Sequence, residues 1–215
     1  MFLIKPYLMN VLLIDDHPMI MEGYISILNQ PTFKYYKITS CEQFSKWIHK
    51  GIIPDIAVVD YSMPAFTQQN LHSGIDCAVL LKKYAPNCKI IMITGHEESI
   101  MLYNIYEQIS LDALIVKSDF TPANFKQLIF HNIFELPYFS PVVKKAIKTI
   151  RGTLLDSKNR EILSYLSHGF KIIQLKDFVS LSTSGVQKRI IKMLQEFNVS
   201  DYQELVVLAK KEGFL

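Results

Sequence analysis

The sequence predicts a doubly wound α/β domain, built on a parallel five-stranded sheet, followed by an all-α four-helix domain. Three observations point there. Short apolar runs alternate with helical periodicity through the first 134 residues. The strand signal then stops after residue 135. The chain has 215 residues, more than one compact domain usually holds.

Five runs predict the strands: Asn10–Ile14, Tyr35–Thr39, Ile56–Val59, Lys89–Ile93 and Asp112–Val116. Continuous apolar runs of this length suit strands buried on both faces. Between them, periodicity predicts helices near 18–29, 41–49, 74–84, 97–109 and 122–134. Ser40 with Gln43 reads as a capping box, and Thr121-Pro122 as an N-cap followed by proline in the first helical position. Five β/α units in series imply a parallel, doubly wound sheet.

Leu136-Pro-Tyr-Phe-Ser-Pro141 carries two prolines in six residues and reads as a connection. The expected division is a first domain over 1–134, a linker over 135–152 and a second domain over 153–215. In the second domain Asp156 caps a helix running to about His168, which Gly169 ends. A short helix fits 171–179. Ser182 caps a third, with Val186, Ile190, Leu194 and Phe197 as its buried stripe. Ser200 with Gln203 opens a fourth, whose inward stripe is Tyr202, Leu205, Val206 and Ala209.

Composition narrows the function classes. Hydrophobic residues make up 49% and charged residues 20%, as in ordinary soluble proteins. No apolar run reaches the roughly 18 residues of a membrane span, and the apolar opening, broken by Lys5 and Pro6, lacks a signal peptide's charged start and cleavage site. A cytoplasmic location without membrane partners is expected. Cys41, Cys77 and Cys88 have no CxxC spacing and read as small buried hydrophobes. Charge is asymmetric: residues 1–135 carry −3 and residues 136–215 carry +6. A polyanion is a candidate partner for the basic part.

The candidate chemistry of the first domain lies at the ends of its strands. Asp15 and Asp16 follow the first strand, and Asp60 ends the third. Ligands of open parallel sheets bind at the carboxyl ends of the strands, so these three acids should converge. Clustered carboxylates repel one another, and a hard dication relieves that repulsion. Magnesium suits the set, since it takes a few carboxylate oxygens and keeps positions open for water and phosphate. The fourth strand brings Thr94 to the same edge and the fifth brings Lys117. Taken singly, Asp15-Asp16 also fits a solvated turn, Thr94 a strand end and Lys117 a surface lysine. His17 reads as structural or solvent-facing.

Taken together, Ile14-Asp15-Asp16-His17-Pro18, Val58-Val59-Asp60-Tyr-Ser-Met63-Pro64, Ile93-Thr94-Gly95 and Ile115-Val116-Lys117-Ser118 resemble the flavodoxin-like receiver domain of two-component response regulators, over about residues 8–134. The resemblance implies that Asp60 is the phosphoacceptor. It implies that Asp15, Asp16, Asp60 and the Ser62 carbonyl hold magnesium, that Thr94 is the switch hydroxyl and that Lys117 binds phosphate. Two departures stand out. Leu114 occupies the position, three before the lysine, where the family carries Tyr or Phe, and Ala65–Ser73 lengthens the loop after Pro64.

Residues 155–215 resemble the helix-turn-helix domain of LuxR/NarL-type regulators. The skeleton is Leu155, Arg160-Glu161-Ile162-Leu163, Gly169, Leu175, Val179, Leu181-Ser182, Val186, Leu194, Val199, Ala209 and Gly213-Phe214-Leu215. The resemblance makes the third helix a DNA-recognition helix in the major groove. Gly185, Lys188, Arg189 and Lys192 are spaced to form one basic face. Ser184, Gln187, Lys188, Arg189 and Lys192 become the expected DNA contacts, with Arg189 reading a base and Lys192 meeting phosphate. Gly185, Gln187, Arg189, Lys176 and Glu196 each depart from the residue usual in the family.

The function implied is a transcription regulator in a phosphorelay, receiving phosphate from a histidine kinase or a small acyl phosphate. Phosphorylated or DNA-bound, it would be a homodimer, and it would not be an enzyme acting on an external substrate. Two rivals remain at this level. One is a phosphorylation-independent DNA-binding protein whose first domain only dimerises. The other is an aspartyl-phosphate phosphohydrolase, disfavoured because Ser62 stands where such enzymes place a second Asp.

Overall fold

The computed structural model describes residues 8–132 and 137–215, with the side chains of residues 131 and 132 left aside. The chain forms two compact units, one reaching Glu97 and including Asn104–Val143, the other comprising Glu98–Tyr103 and Lys144–Leu215.

The first unit is built on six parallel strands: β1 (Met9–Ile14), β2 (Phe33–Ile38), β3 (Ile56–Asp60), β4 (Lys89–Thr94), β5 (Ala113–Val116) and β6 (Tyr138–Phe139), in the spatial order β2-β1-β3-β4-β5-β6. The helices along this stretch of the chain are α1 (Pro18–Leu28), α2 (Cys41–Trp47), α3 (Gly74–Tyr84), α4 (Ser99–Gln108, grouped with the first unit from Asn104 on) and α5 (Pro122–Gln127). All residues of β3 and β5 are buried, which is why their sequences lack polar alternation. Alternate residues serve opposite faces of the sheet. Val11, Leu13, Val58, Ile91, Ile93, Ala113 and Ile115 pack with Met21 and Leu28 of α1 and Phe125 of α5, while α2 and α3 pack on other parts of the sheet. Truncating one such buried Leu or Ile to Ala typically costs about 2–5 kcal/mol.

The expected caps form. Ser40 Oγ accepts from the Gln43 N–H, and Gln43 reaches back to the Thr39 N–H. Thr121 Oγ1 accepts from the Asn124 N–H. Each cap satisfies a donor that the first helical turn leaves open, a contribution of about 1 kcal/mol. α5 is shorter than periodicity predicts: a π-helical turn follows at 128–132, and the predicted end at 133–134 lies outside the described residues.

The expectation of five strands needs correction. Tyr138 and Phe139, within the segment read as linker, pair in register with Ala113 and Leu114. Two residues between prolines carry too little periodicity to be recognised as a strand. Hydrogen bonds at both ends hold them: Tyr138 N–H donates to the Asp112 carbonyl, and Ser140 N–H to the Leu114 carbonyl. From Pro141 to Gly152 the chain is helical (α6), so most of the 135–152 segment has regular structure; residues 135 and 136 lie outside the described residues.

The second unit contains α7 (Ser157–Ser167), a 3-10 turn at Ile172–Asp177, α8 (Thr183–Phe197) and α9 (Tyr202–Lys211). Asp156 caps α7 and Ser182 caps α8, as expected. The cap of α9 falls one residue later than expected. Asp201, not Ser200, accepts the Gln203 and Glu204 N–H groups, while Ser200 donates to Glu204. Met193 is fully buried with Val186 and Ile190, whereas Leu194 and Phe197 are only half-buried. Tyr165, Phe170 and Phe178 form an aromatic cluster with ring centroids 5.1–5.5 Å apart.

Among the described residues, no helix is long and apolar enough to cross a membrane. The three cysteines are buried, with Cys41 Sγ 3.6 Å from Cys77 Sγ, and burial pushes the Cys88 thiol up to about 12.

Candidate functional site

Strand register brings the predicted acids together. β1 and β3 are neighbours and run parallel, so Asp15, Asp16 and Asp60 emerge at the same edge of the sheet. Asp15 and Asp60 are almost wholly buried, at 2% and 3% exposure. β4 lies beside β3 and ends in the fully buried Thr94, and β5 lies beside β4 and delivers Lys117 in the turn that follows. Lys117 Nζ sits 2.8 Å from Asp60 Oδ1.

Backbone N–H groups hold one oxygen of each of the two buried carboxylates. Asp15 Oδ1 accepts the His17 N–H at 2.9 Å, but Asp15 Oδ2 is buried without a hydrogen-bond partner. Asp60 Oδ2 accepts the Ser62 N–H at 3.2 Å. Burial pushes the Asp15 carboxyl above the ordinary carboxylate range, and the charge of Asp60 adds to that; the His17 N–H and Lys117 oppose it. A buried carboxylate oxygen with no donor is costly unless something cationic meets it. The oxygen-rich donor set fits a hard divalent cation. His17 is 66% exposed, with Nδ1 2.8 Å from Asp16 Oδ1 and 3.4 Å from Asp15 Oδ1, so it borders the acidic pocket more closely than its sequence suggests.

Thr94 Oγ1 accepts the His96 N–H at 3.0 Å, leaving its own proton to donate elsewhere. Ser62 is exposed beside the pocket.

Sequence reasoning missed Gly74. A Cβ there would lie 1.8 Å from the Asp60 carbonyl oxygen, so the start of α3 packs directly on the backbone of Asp60. Gly74 N–H also donates to the Tyr61 carbonyl. The long loop before it is a closed turn: Phe66 and Leu71 form an antiparallel bridge around a 3-10 turn, and Asn70 takes a left-handed conformation with φ 55°. The clue in the sequence was the Ser73-Gly74 pair at a helix start.

Leu114 is fully buried, with Met92 on one side in register and Phe139 on the other. Phe139 packs edge-on to Tyr106 of α4, with centroids 5.4 Å apart. An aromatic ring therefore does lie beside this position, supplied by β6. The same segment grips the Lys117 turn. Ser140 Oγ accepts the Val116 N–H at 3.2 Å, and Asp119 Oδ2 accepts the Val142 N–H at 2.8 Å.

In the second unit the expected DNA contacts divide. Ser184, Gln187, Lys188 and Lys192 are exposed along α8. Arg189 is not free: its Nη1 donates to Asp156 Oδ1 and to Asn159 Oδ1, both at 2.8 Å. Ile191, 53% exposed, lies among the exposed residues and was not foreseen. In the Ile190-Ile191 pair, the core takes the first and leaves the second outside.

Comparison with known proteins agrees with this fold. The chain is 24% identical over 222 aligned positions to the transcriptional regulatory protein ComA of Bacillus subtilis, covering 96% of this chain and 99% of that one. It is 22% identical over 216 positions to the response regulator UvrY of Escherichia coli, covering 96% and 95%. In fold it is similar to the RcsB response regulator of Salmonella typhimurium, with TM-score 0.65, 17% identity and coverage of 94% and 99%. It is also similar to RcsB in an RcsB–DNA complex, with TM-score 0.59, 17% identity and coverage of 90% and 93%. Residues 11–129, more than half of the sequence, match the response regulator receiver domain, and the chain belongs to that family.

Proposed function

We propose that the protein is a transcription regulator controlled by phosphorylation of Asp60. The observation that carries this reading is the convergence of Asp15, Asp60, Thr94 and Lys117 at one sheet edge, with Lys117 Nζ 2.8 Å from Asp60 Oδ1. A carboxylate oxygen of Asp60 attacks the phosphorus of the donor. The bond from phosphorus to the donor's leaving atom breaks, and an aspartyl phosphate forms. The donor is a histidine kinase's phosphoimidazole or a small acyl phosphate. Lys117 moves its charge from the carboxylate to the phosphoryl oxygens, and Thr94 donates its hydroxyl proton to one of them.

Asp15, Asp16, Asp60 and the Ser62 carbonyl would hold magnesium, and the unpartnered Asp15 Oδ2 supports that assignment. The ion would neutralise charge on the transferring phosphoryl group.

Ser140 and Val142 are hydrogen-bonded to Val116 and Asp119, on either side of Lys117. A shift of Lys117 toward phosphate thus bears directly on the segment entering α6. DNA is the output partner, with a homodimer as the phosphorylated or DNA-bound form. The relative named as a transcriptional regulatory protein and the RcsB–DNA complex support this part. Ser184, Gln187, Lys188 and Lys192 are the contacts assigned to α8.

The test is incubation with acetyl phosphate and magnesium, followed by mapping of the modified residue. One phosphate on Asp60 is expected, and none in Asp60→Asn. Phosphate on another residue, or its survival in the variant, overturns the assignment. Light scattering with and without beryllofluoride then shows whether phosphate mimicry reaches the assembly state.

A further inference from the structure

Two residues of α8 are tied to the same turn. Arg189 Nη1 donates to Asp156 Oδ1 and Asn159 Oδ1. Asp156 is already the N-cap of α7, accepting the Asn159 N–H at 3.0 Å. The Asn159 side chain is buried, and its Nδ2 donates to the Thr153 carbonyl at 2.9 Å. Thr153, also buried, donates its hydroxyl to Glu196 Oε2. The chain of contacts therefore leaves α8 at Arg189, crosses Asp156, Asn159 and Thr153, and returns to α8 at Glu196.

Helical geometry makes this a two-point attachment. Arg189 and Glu196 are seven residues apart, about two turns, so they share one flank of α8. At about 100° per residue, that flank stands roughly 80–100° from Lys188. Ser184, Lys188 and Lys192 lie along the exposed stripe, while Val186, Ile190 and Met193 face the core. Hydrophobic burial alone leaves a helix some freedom to rotate and slide, whereas two directional attachments a turn or more apart restrict both.

We infer that Arg189 and Glu196 are positioning residues that lock α8 onto the turn before α7, fixing the angle at which Ser184, Gln187, Lys188 and Lys192 meet DNA. The inference rests on the reading of α8 as the DNA-contacting helix. It replaces the sequence-based assignment of Arg189 as a base reader: its Nη1 already donates to two protein acceptors at 2.8 Å, which direct the guanidinium to the turn before α7.

The test uses the full chain with beryllofluoride and magnesium, a duplex that the wild type selects from a random pool, and an unselected duplex. Affinity is measured across a salt series, well below each variant's melting temperature. Lys188→Ala should lower the salt-dependence slope by about one unit, as loss of a phosphate contact does. Arg189→Ala should weaken binding to the selected duplex about tenfold or more with the slope unchanged, because α8 is displaced and no phosphate contact is removed. Asp156→Asn, which keeps a cap for α7, should add little further loss in the Arg189→Ala background.

Glu196 gives a second, milder probe. Glu196→Gln keeps an acceptor for Thr153 and should bind at least as well as wild type, while Glu196→Ala should bind several-fold more weakly. If Glu196 only repelled DNA, both would bind more tightly, and the inference fails. It fails equally if Arg189→Ala lowers the slope as Lys188→Ala does, or relaxes preference at one base pair only. A wild type that selects no duplex sinks the DNA reading itself, a distinct result.

Discussion

The acidic edge of the first unit and the basic face of α8 both gather charged side chains, but they differ in what those charges already touch. At the sheet edge, Asp15 keeps a buried oxygen without a donor, and Lys117 is the cation facing Asp60. On α8, Arg189 is held by Asp156 and Asn159, and Lys192 lies 3.8 Å from Glu196. The first site has unmet electrostatic demand in a buried place. The second has spent part of its charge on its own architecture and leaves the rest in water, where each charge is worth little until a polyanion arrives. A charged residue's role thus depends on its partners as much as on its place in a motif.

The largest expected effect tests the buried side of the comparison. Asp60→Asn should abolish phosphorylation by acetyl phosphate, read by intact-mass measurement. No comparable all-or-none loss should come from any one residue of α8.

Next in size is Gly74→Ala. Its Cβ would fall 1.8 Å from the Asp60 carbonyl oxygen, so α3 or the end of β3 must move. A destabilisation of about 1–3 kcal/mol or more is expected in denaturant titration, together with slower phosphorylation. Gly152→Ala, with open space at its Cβ position, is the control and should leave both unchanged.

Asp15→Asn should separate stability from function. Its carboxyl is buried beside Asp60 and held above the ordinary carboxylate range, so its charge opposes folding when no cation is bound. In chelator at neutral pH, the variant should melt at a higher temperature than wild type. Magnesium should raise the wild-type melting temperature and move the variant less. A variant that melts lower in chelator would show that this carboxylate is satisfied without a cation, and the contrast between the two regions would weaken.

The smallest effect is on the exposed face. Lys192→Ala should leave thermal stability within about 0.5 kcal/mol, as surface substitutions usually do. It should weaken binding to all duplexes alike and lower the salt slope by about one unit. A base-specific loss at Lys192 would make α8 a more uniform reading surface than the comparison implies.

The legibility of the two regions follows the same physics. Asp15, Asp16, Asp60, Thr94 and Lys117 were readable because parallel strands turn sequence position into spatial position: each lies at the end of an apolar run, and all the runs end at one edge. The helix caps at Ser40, Thr121, Asp156 and Ser182 were readable because capping is local. Gly74 was not, since its constraint comes from a backbone atom fourteen residues away. β6 was not, since two residues hold a strand only when β5 offers them an edge.

The sequence by itself therefore determined the α/β order, the acidic edge of the sheet and the helical character of the second unit, all of which arise from periodicity and local hydrogen bonding. Only the tertiary structure decided that the connecting segment joins the sheet, that Phe139 stands beside Leu114, and that Arg189 turns to Asp156 and Asn159. Those outcomes depend on partners distant in sequence. A long side chain on a helix flank can reach several of them, and spacing along the chain does not say which one it takes.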